Sequence, residues 1–242
     1  MTATLDLPTA DADATDLGRQ LGSLRHQLQL ARLTPDAQRQ ARQLAALDAG
    51  LRVLTARADL LRLRQELQPL PTERLEPWPL LQQAWQEQAP MAALLGVQAQ
   101  FRPHADPRAL GALYGSGRWL RRLLSECIES AMVNAPGCPI EMEHRPVGSH
   151  TQIVLLGTRA FTTDHDGPAR DLAEAIARAH GGELRIEQDD DTRDLIVELP
   201  TGAPFHADAS SAQLQAARFA QDLAALQERA RRRTGAPIGD ER

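Results

Sequence analysis

Apolar side chains recur at alternating four- and three-residue spacing from Leu17 through Leu21, Leu24 and Leu28 to Ala31. That is a heptad seam, the pattern of a helix packed along its length against another. Thr34 and Pro35 then break the pattern, with Thr34 expected as an N-cap and Pro35 as the first residue of a second helix. The second helix repeats the seam at Leu44, Leu47, Leu51, Leu54, Ala58 and Leu61. A further stripe, Ala46, Val53, Leu60 and Leu67, widens its apolar face. One stripe suits the partner helix and the other a second copy of the chain. Residues 15–68 therefore predict an antiparallel hairpin that forms a four-helix bundle as a homodimer. Residues 1–14 are polar and aperiodic, and predict a disordered tail.

Pro69, Pro71, Pro77 and Pro79 end the helical pattern and predict a linker over residues 69–78. Beyond it the period changes repeatedly. A helix is expected over about 79–95, a strand over Val97–Phe101 and a strong helix over 118–134 with Ser116 as its cap. Ile140–Arg145 and Thr151–Leu156 read as a hairpin around Gly148. Pro168 opens another helix that Gly181 and Gly182 close. Glu183–Glu187 and Asp194–Leu199 read as a last hairpin. Residues 79–200 thus predict an α/β sandwich with its helices on one face, and the whole chain an α+β protein. Heptad spacing at Ala216, Phe219, Leu223, Leu226 and Ala230 adds an amphipathic C-terminal helix over 210–233.

Composition narrows the function classes. The 242 residues are 42% hydrophobic but only 3% aromatic, so the core must rest on aliphatic side chains. A net charge of −5 argues against a nucleic-acid binder. All 27 basic residues are Arg, which removes any role that needs a lysine. No run approaches the roughly 18 apolar residues of a membrane span, and the N-terminus lacks the basic residues of a secretory signal. Cys127 lies in an apolar helix and Cys138 in a turn, which predicts two reduced thiols in a cytoplasmic protein and no metal site.

Three stretches, taken in order, resemble a known family. Asp59–Leu63 followed by Arg74–Leu81 is similar to the exit from the dimerisation hairpin of sensor histidine kinases into their catalytic domain. Gly115–Pro136, with Leu120, Leu123, Leu124, Cys127, Ile128 and Ala131, resembles the helix that carries the family's asparagine box. Leu172–Gly182 before the strand Glu183–Ile186 is similar to the helix and strand that end that domain. The resemblance spans roughly residues 40–200 and implies a Bergerat-type ATPase fold behind a dimerisation hairpin.

The same resemblance implies a nucleotide site, and the chain departs from it. The family holds magnesium with two Asn four positions apart, usually with a Lys three positions after the second; Glu126, Ser130 and Val133 stand there. Glu126 retains a carboxylate suited to a hard cation and Glu129 matches the family's usual acidic position, but Ser130 is a poorer ligand than an amide oxygen. The adenine-reading Asp is missing from Leu156–Ala160. In His165–Ala169 only Gly167 remains of the phosphate-cradling glycines, Asp166 repels phosphate and Pro168 lacks a donor. The segment between the two boxes is about ten residues, too short for a lid over ATP.

For the phosphoacceptor the resemblance asks for a histidine on the first hairpin helix, and His26 is the candidate. It lies about 200° around the helix from Leu24, away from the seam. Gln27 replaces the carboxylate that serves autophosphorylation in the family. The expectation is a degenerate histidine-kinase-like protein with no cofactor, acting as a phosphotransferase or scaffold toward the receiver domain of a response regulator. The alternatives are a divergent kinase using ATP and magnesium through Glu126 and Ser130, and a pure interaction protein.

Overall fold

A computed structural model describes residues 10–66, 70, 72–104, 111–189 and 192–202. The expected C-terminal helix over 210–233 lies outside the described residues. Helix α1, Ala10–Leu33, starts inside the segment expected to be a tail. Ala10, Ala12 and Ala14 account for the difference, because Ala has the strongest intrinsic helix preference. Helix α2 runs over Ala37–Gln65. Its N-cap is Asp36 and not Thr34: the Asp36 carboxylate accepts the Arg39 N–H at 2.7 Å. Thr34 instead donates back to the Leu30 carbonyl at 2.8 Å and finishes α1. The two helices cross closely where Leu24 rests on Gly50, a position at which any Cβ would collide with the leucine.

The linker expected over 69–78 is partly structured. Strand β1, Glu73–Leu75, and the first turn of α3, Pro77–Leu95, fall within it. β1 pairs antiparallel with β3, Leu113–Gly115, a strand too short to leave a periodic signal. The main sheet contains β2 (Ala99–Arg102), β4 (Ile140–Val147), β5 (His150–Leu156), β6 (Glu183–Gln188) and β7 (Arg193–Pro200), in the order β2-β4-β5-β7-β6. Both expected hairpins form, and β2 joins β4 in parallel through helix α4, Gly117–Asn134. Gly137 and Gly148 adopt positive φ in the turns around these strands.

Helices α3, α4 and α5 (Gly167–Ala179) cover one sheet face. Leu120, Leu123, Leu124 and Ile128 of α4 meet Ile153, Leu155 and Val197 of the sheet in a single core. The opposite face is polar, with Arg185 bound to Glu183, Glu187 and Glu198. Ala56 and Leu63 of α2 enter the same core, with Leu60 packed against it. The stripe holding Leu60, expected to face α1 or a second copy, therefore faces the α/β domain. The hairpin is docked rather than hung on a free tether.

Candidate functional site

His26 stands exposed on the outer face of α1. No hydrogen bond or ion pair links it to Glu126, Glu129, Ser130 or Gly167, all of which lie in the α/β domain. The structure thus separates the two sets of candidate residues.

The second set lies where α4 meets the start of α5. Ser130 sits four residues after Glu126, so both side chains occupy one helix face. The Ser130 hydroxyl accepts the Phe161 N–H at 2.7 Å and donates to the Asp166 carboxylate at 3.1 Å. Asn134, one turn further, donates to Asp166 at 2.7 Å and to the Arg159 carbonyl at 3.1 Å. Thr163 adds its backbone N–H at 3.0 Å and its hydroxyl at 2.7 Å to the same carboxylate, the geometry of a capping box at the 3-10 turn Asp164–Asp166. Burial pushes the Asp166 pKa up, but the bonds from Thr163, Asn134 and Ser130 outweigh it and hold the group below its usual range. Arg193 donates to the carbonyls of Thr158 and Ala160, at 3.1 and 2.6 Å. The segment from Thr158 to Asp166 is therefore held against α4 by the chain's own side chains. Phe161 alone among non-glycine described residues takes a positive φ, 55°. Gly167 begins α5 in helical geometry, and a Cβ there would meet open space.

Glu126 and Glu129 face α2. Glu126 is 6% exposed and pairs with Arg122 at 2.5 Å. Burial is the main force that lifts its pKa to about 7; Arg122 pulls it back, while Glu129 and Asp59 push it further up. Arg122 also binds Asp59 of α2 at 2.9 Å, so one guanidinium serves carboxylates of both helices. Glu129 lies 3.7 Å from Arg52 of α2, and burial raises its pKa against that attraction. The Trp119 indole N–H donates to Glu66 at 2.7 Å, closing the lower end of the junction. Among the described residues no group of three or more His, Cys, Asp or Glu side chains is placed to hold a metal ion, and none of the helices is long and apolar enough to cross a membrane.

No family model matches the sequence, and no curated protein matches it. Solved structures do. The histidine kinase AdeS of Acinetobacter baumannii aligns with a TM-score of 0.55 at 12% identity, over 78% of this chain and 98% of that one. ThkA, solved in complex with the response regulator TrrA, aligns at 0.55 and 13% identity, over 78% of this chain and 59% of that one. Full-length ShkA in complex with AMPPNP aligns at 0.55 and 15% identity, over 81% of this chain and 47% of that one. The fold is that of the sensor histidine kinases. It joins an N-terminal helical hairpin to the mixed α/β sheet of their ATPase-like domain. The chain spans about half the length of ShkA and more than half of ThkA.

In this histidine-kinase fold His180 is structural. Its Nε2 accepts the Ser116 N–H at 3.1 Å and its Nδ1–H donates to the Ile176 carbonyl at 2.8 Å, while burial lowers its pKa. Gly115 is required beside it, because a Cβ would strike the imidazole. His144 is buried between Thr151 and the Trp78 ring, and burial brings its pKa down to about 4. Sequence reasoning missed Asn134 and Thr163 as partners of Ser130 and Asp166. Two signals pointed to them: Asn134 one turn after Ser130, and the Thr163-x-x-Asp166 spacing of a capping box.

Proposed function

We propose that this chain is a two-component signalling protein that handles phosphate through His26 and does not use ATP. Two hairpins associate into a four-helix bundle through the apolar side chains that α1 and α2 leave exposed, Leu21, Leu30, Leu33, Leu44 and Leu51. The receiver domain of a response regulator docks over the outer face of α1. The imidazole nitrogen of His26 attacks the phosphorus of the receiver's aspartyl phosphate in line. The bond to the aspartate oxygen breaks, the carboxylate leaves, and the remaining ring proton passes to water. The same steps in reverse deliver the phosphoryl group to a second receiver.

The observation that carries this reading is the contrast between an exposed His26 and a closed α4–α5 face. At the positions where the family holds a magnesium nucleotide, Glu126 is bound to Arg122, and Ser130 is bound to Phe161 and Asp166. A buried Asp166 charge at the start of α5 opposes a phosphate there. These residues do not fit a magnesium nucleotide. The complex of ThkA with a response regulator supports a receiver as the partner class. Such a protein works in the cytoplasm, and neither nucleic acid nor a membrane enters its mechanism.

The test is phosphotransfer from phosphorylated receiver domains to the wild type and to His26→Gln. The expected result is labelled wild type and unlabelled variant, with helicity unchanged. Labelling that persists in the variant overturns the role of His26, and no labelling with any receiver leaves a scaffold. Calorimetry with ATP and magnesium is expected to give binding weaker than millimolar; a micromolar constant would restore the active-kinase alternative.

A further inference from the structure

A cleft of about 280 Å³ opens between α2, α3 and the N-terminal half of α4. Arg118, Arg121 and Arg122 reach it from two turns of one helix, against the carboxylates of Asp59 and Glu87. Arg122 is committed, since Asp59 and Glu126 both hold it closely. The other two are held more loosely, although the Arg121 Nε–H also donates to the Gly117 carbonyl at 3.3 Å. Arg118 lies 3.7 Å from Glu66, and Arg121 lies 3.4 Å from Glu87, both partly exposed pairs. Such pairs are worth about 0–1 kcal/mol, so an anionic ligand displaces them at little cost. Glu66 loses little by the exchange, because the Trp119 indole and Arg62 continue to bind it. The Trp119 ring, with the Arg118 guanidinium 5.1 Å from its centroid, holds that side chain at the rim.

A second observation points the same way. Ser125 lines the cleft although the residue as a whole is only 4% exposed, so what it shows to solvent it shows there. Its hydroxyl is a donor on the same cleft wall as the two arginines.

The geometry points to a binding site for a small phosphomonoester, with Arg118 and Arg121 gripping the phosphate and Ser125 donating to it. A single carboxylate occupies one fork, whereas a phosphomonoester dianion presents three oxygens and serves two. Arg118 also stands in the first turn of α4, where the helix dipole favours an anion. Because Asp59 of α2 lines the cleft together with residues of α3 and α4, an occupant touches the junction between hairpin and α/β domain. The site stands apart from His26 and does not depend on the phosphotransfer reading.

Glycerol phosphate is the probe, titrated into the full chain at constant ionic strength while the Trp119 indole N–H resonance is followed, with glycerol as the uncharged control. The expected result is saturable binding at millimolar concentration or below, at least roughly tenfold weaker in Arg118→Ala/Arg121→Ala and a few-fold weaker in Ser125→Ala. Binding should also strengthen between pH 5 and 7.5, as the ester's second proton leaves near pH 6. Both arginines lie on the surface, so the double variant is expected to keep its fold, which circular dichroism checks. Absence of saturable binding to the wild type overturns the site, and so does binding that the double variant retains in full.

Discussion

Glu126 carries a pH signature that can be tested alone. Its carboxyl is buried against Arg122, and its pKa rises from 4.5 in the unfolded chain to about 7 in the fold. The folded state therefore binds this proton more tightly than the unfolded state does. Its stabilising contribution is fully present below pH 4.5 and is lost as pH rises through 7. Buried His144, its pKa brought down to about 4, works in the opposite direction below pH 6.5, so the test is a difference: the urea midpoint of the wild type relative to Glu126→Gln should fall between pH 5 and 8. An unchanged slope in the variant would place the titration elsewhere. Ser130 offers a second test. Ser130→Ala strands the buried Phe161 N–H and removes a donor to Asp166, at a cost of about 1–3 kcal/mol measurable by the same unfolding. A loss well under that range would mean that water replaces the hydroxyl. The residue types at both positions were evident from the sequence, but their partners were not. Arg122 lies one turn before Glu126, whereas Asp59, Arg52 and Asp166 reach α4 from distant parts of the chain.

At the scale of elements, the long periodic helices and the two hairpins were legible because a repeated pattern averages over many residues. β1 and β3 were not, since each has three residues and finds its hydrogen bonds only in the other. The start of α2 was misplaced by two residues because Thr34 and Asp36 are both good caps; the geometry of the turn chose Asp36. Asp36→Ala should cost about 1 kcal/mol, and a thermal melt of the variant measures it. The docking of α2 is a stronger effect. Leu63 is buried in the core shared with the α/β domain, and Leu63→Ala should cost about 2–5 kcal/mol. Limited proteolysis should then cut the variant faster than the wild type. Equal resistance of variant and wild type would argue that the ion pairs alone hold the hairpin in place.

For the whole molecule the decisive surface is the row of exposed leucines on the hairpin. Leu21 is 52% and Leu51 48% exposed in the single chain, at positions the heptad pattern marks as apolar. Leu21→Glu/Leu51→Glu should convert a dimer into a monomer in sedimentation, with each exposed substitution shifting chain stability by only about 0.5 kcal/mol. A wild type that sediments as a monomer at micromolar concentration would remove the bundle. The sequence by itself determined the two-part architecture, because hydrophobic period and helix-ending glycines and prolines are local properties that each segment carries wherever it packs. It also placed His26 on an outward face, since a helix of known phase orients every side chain around its axis. Only the tertiary structure decided that α2 turns its Ala56, Leu60 and Leu63 toward the α/β core, and that Ser130, Asn134, Thr163 and Asp166 satisfy one another. Burial and hydrogen bonding between distant segments depend on which surfaces meet, and a single segment's pattern holds no record of its neighbour.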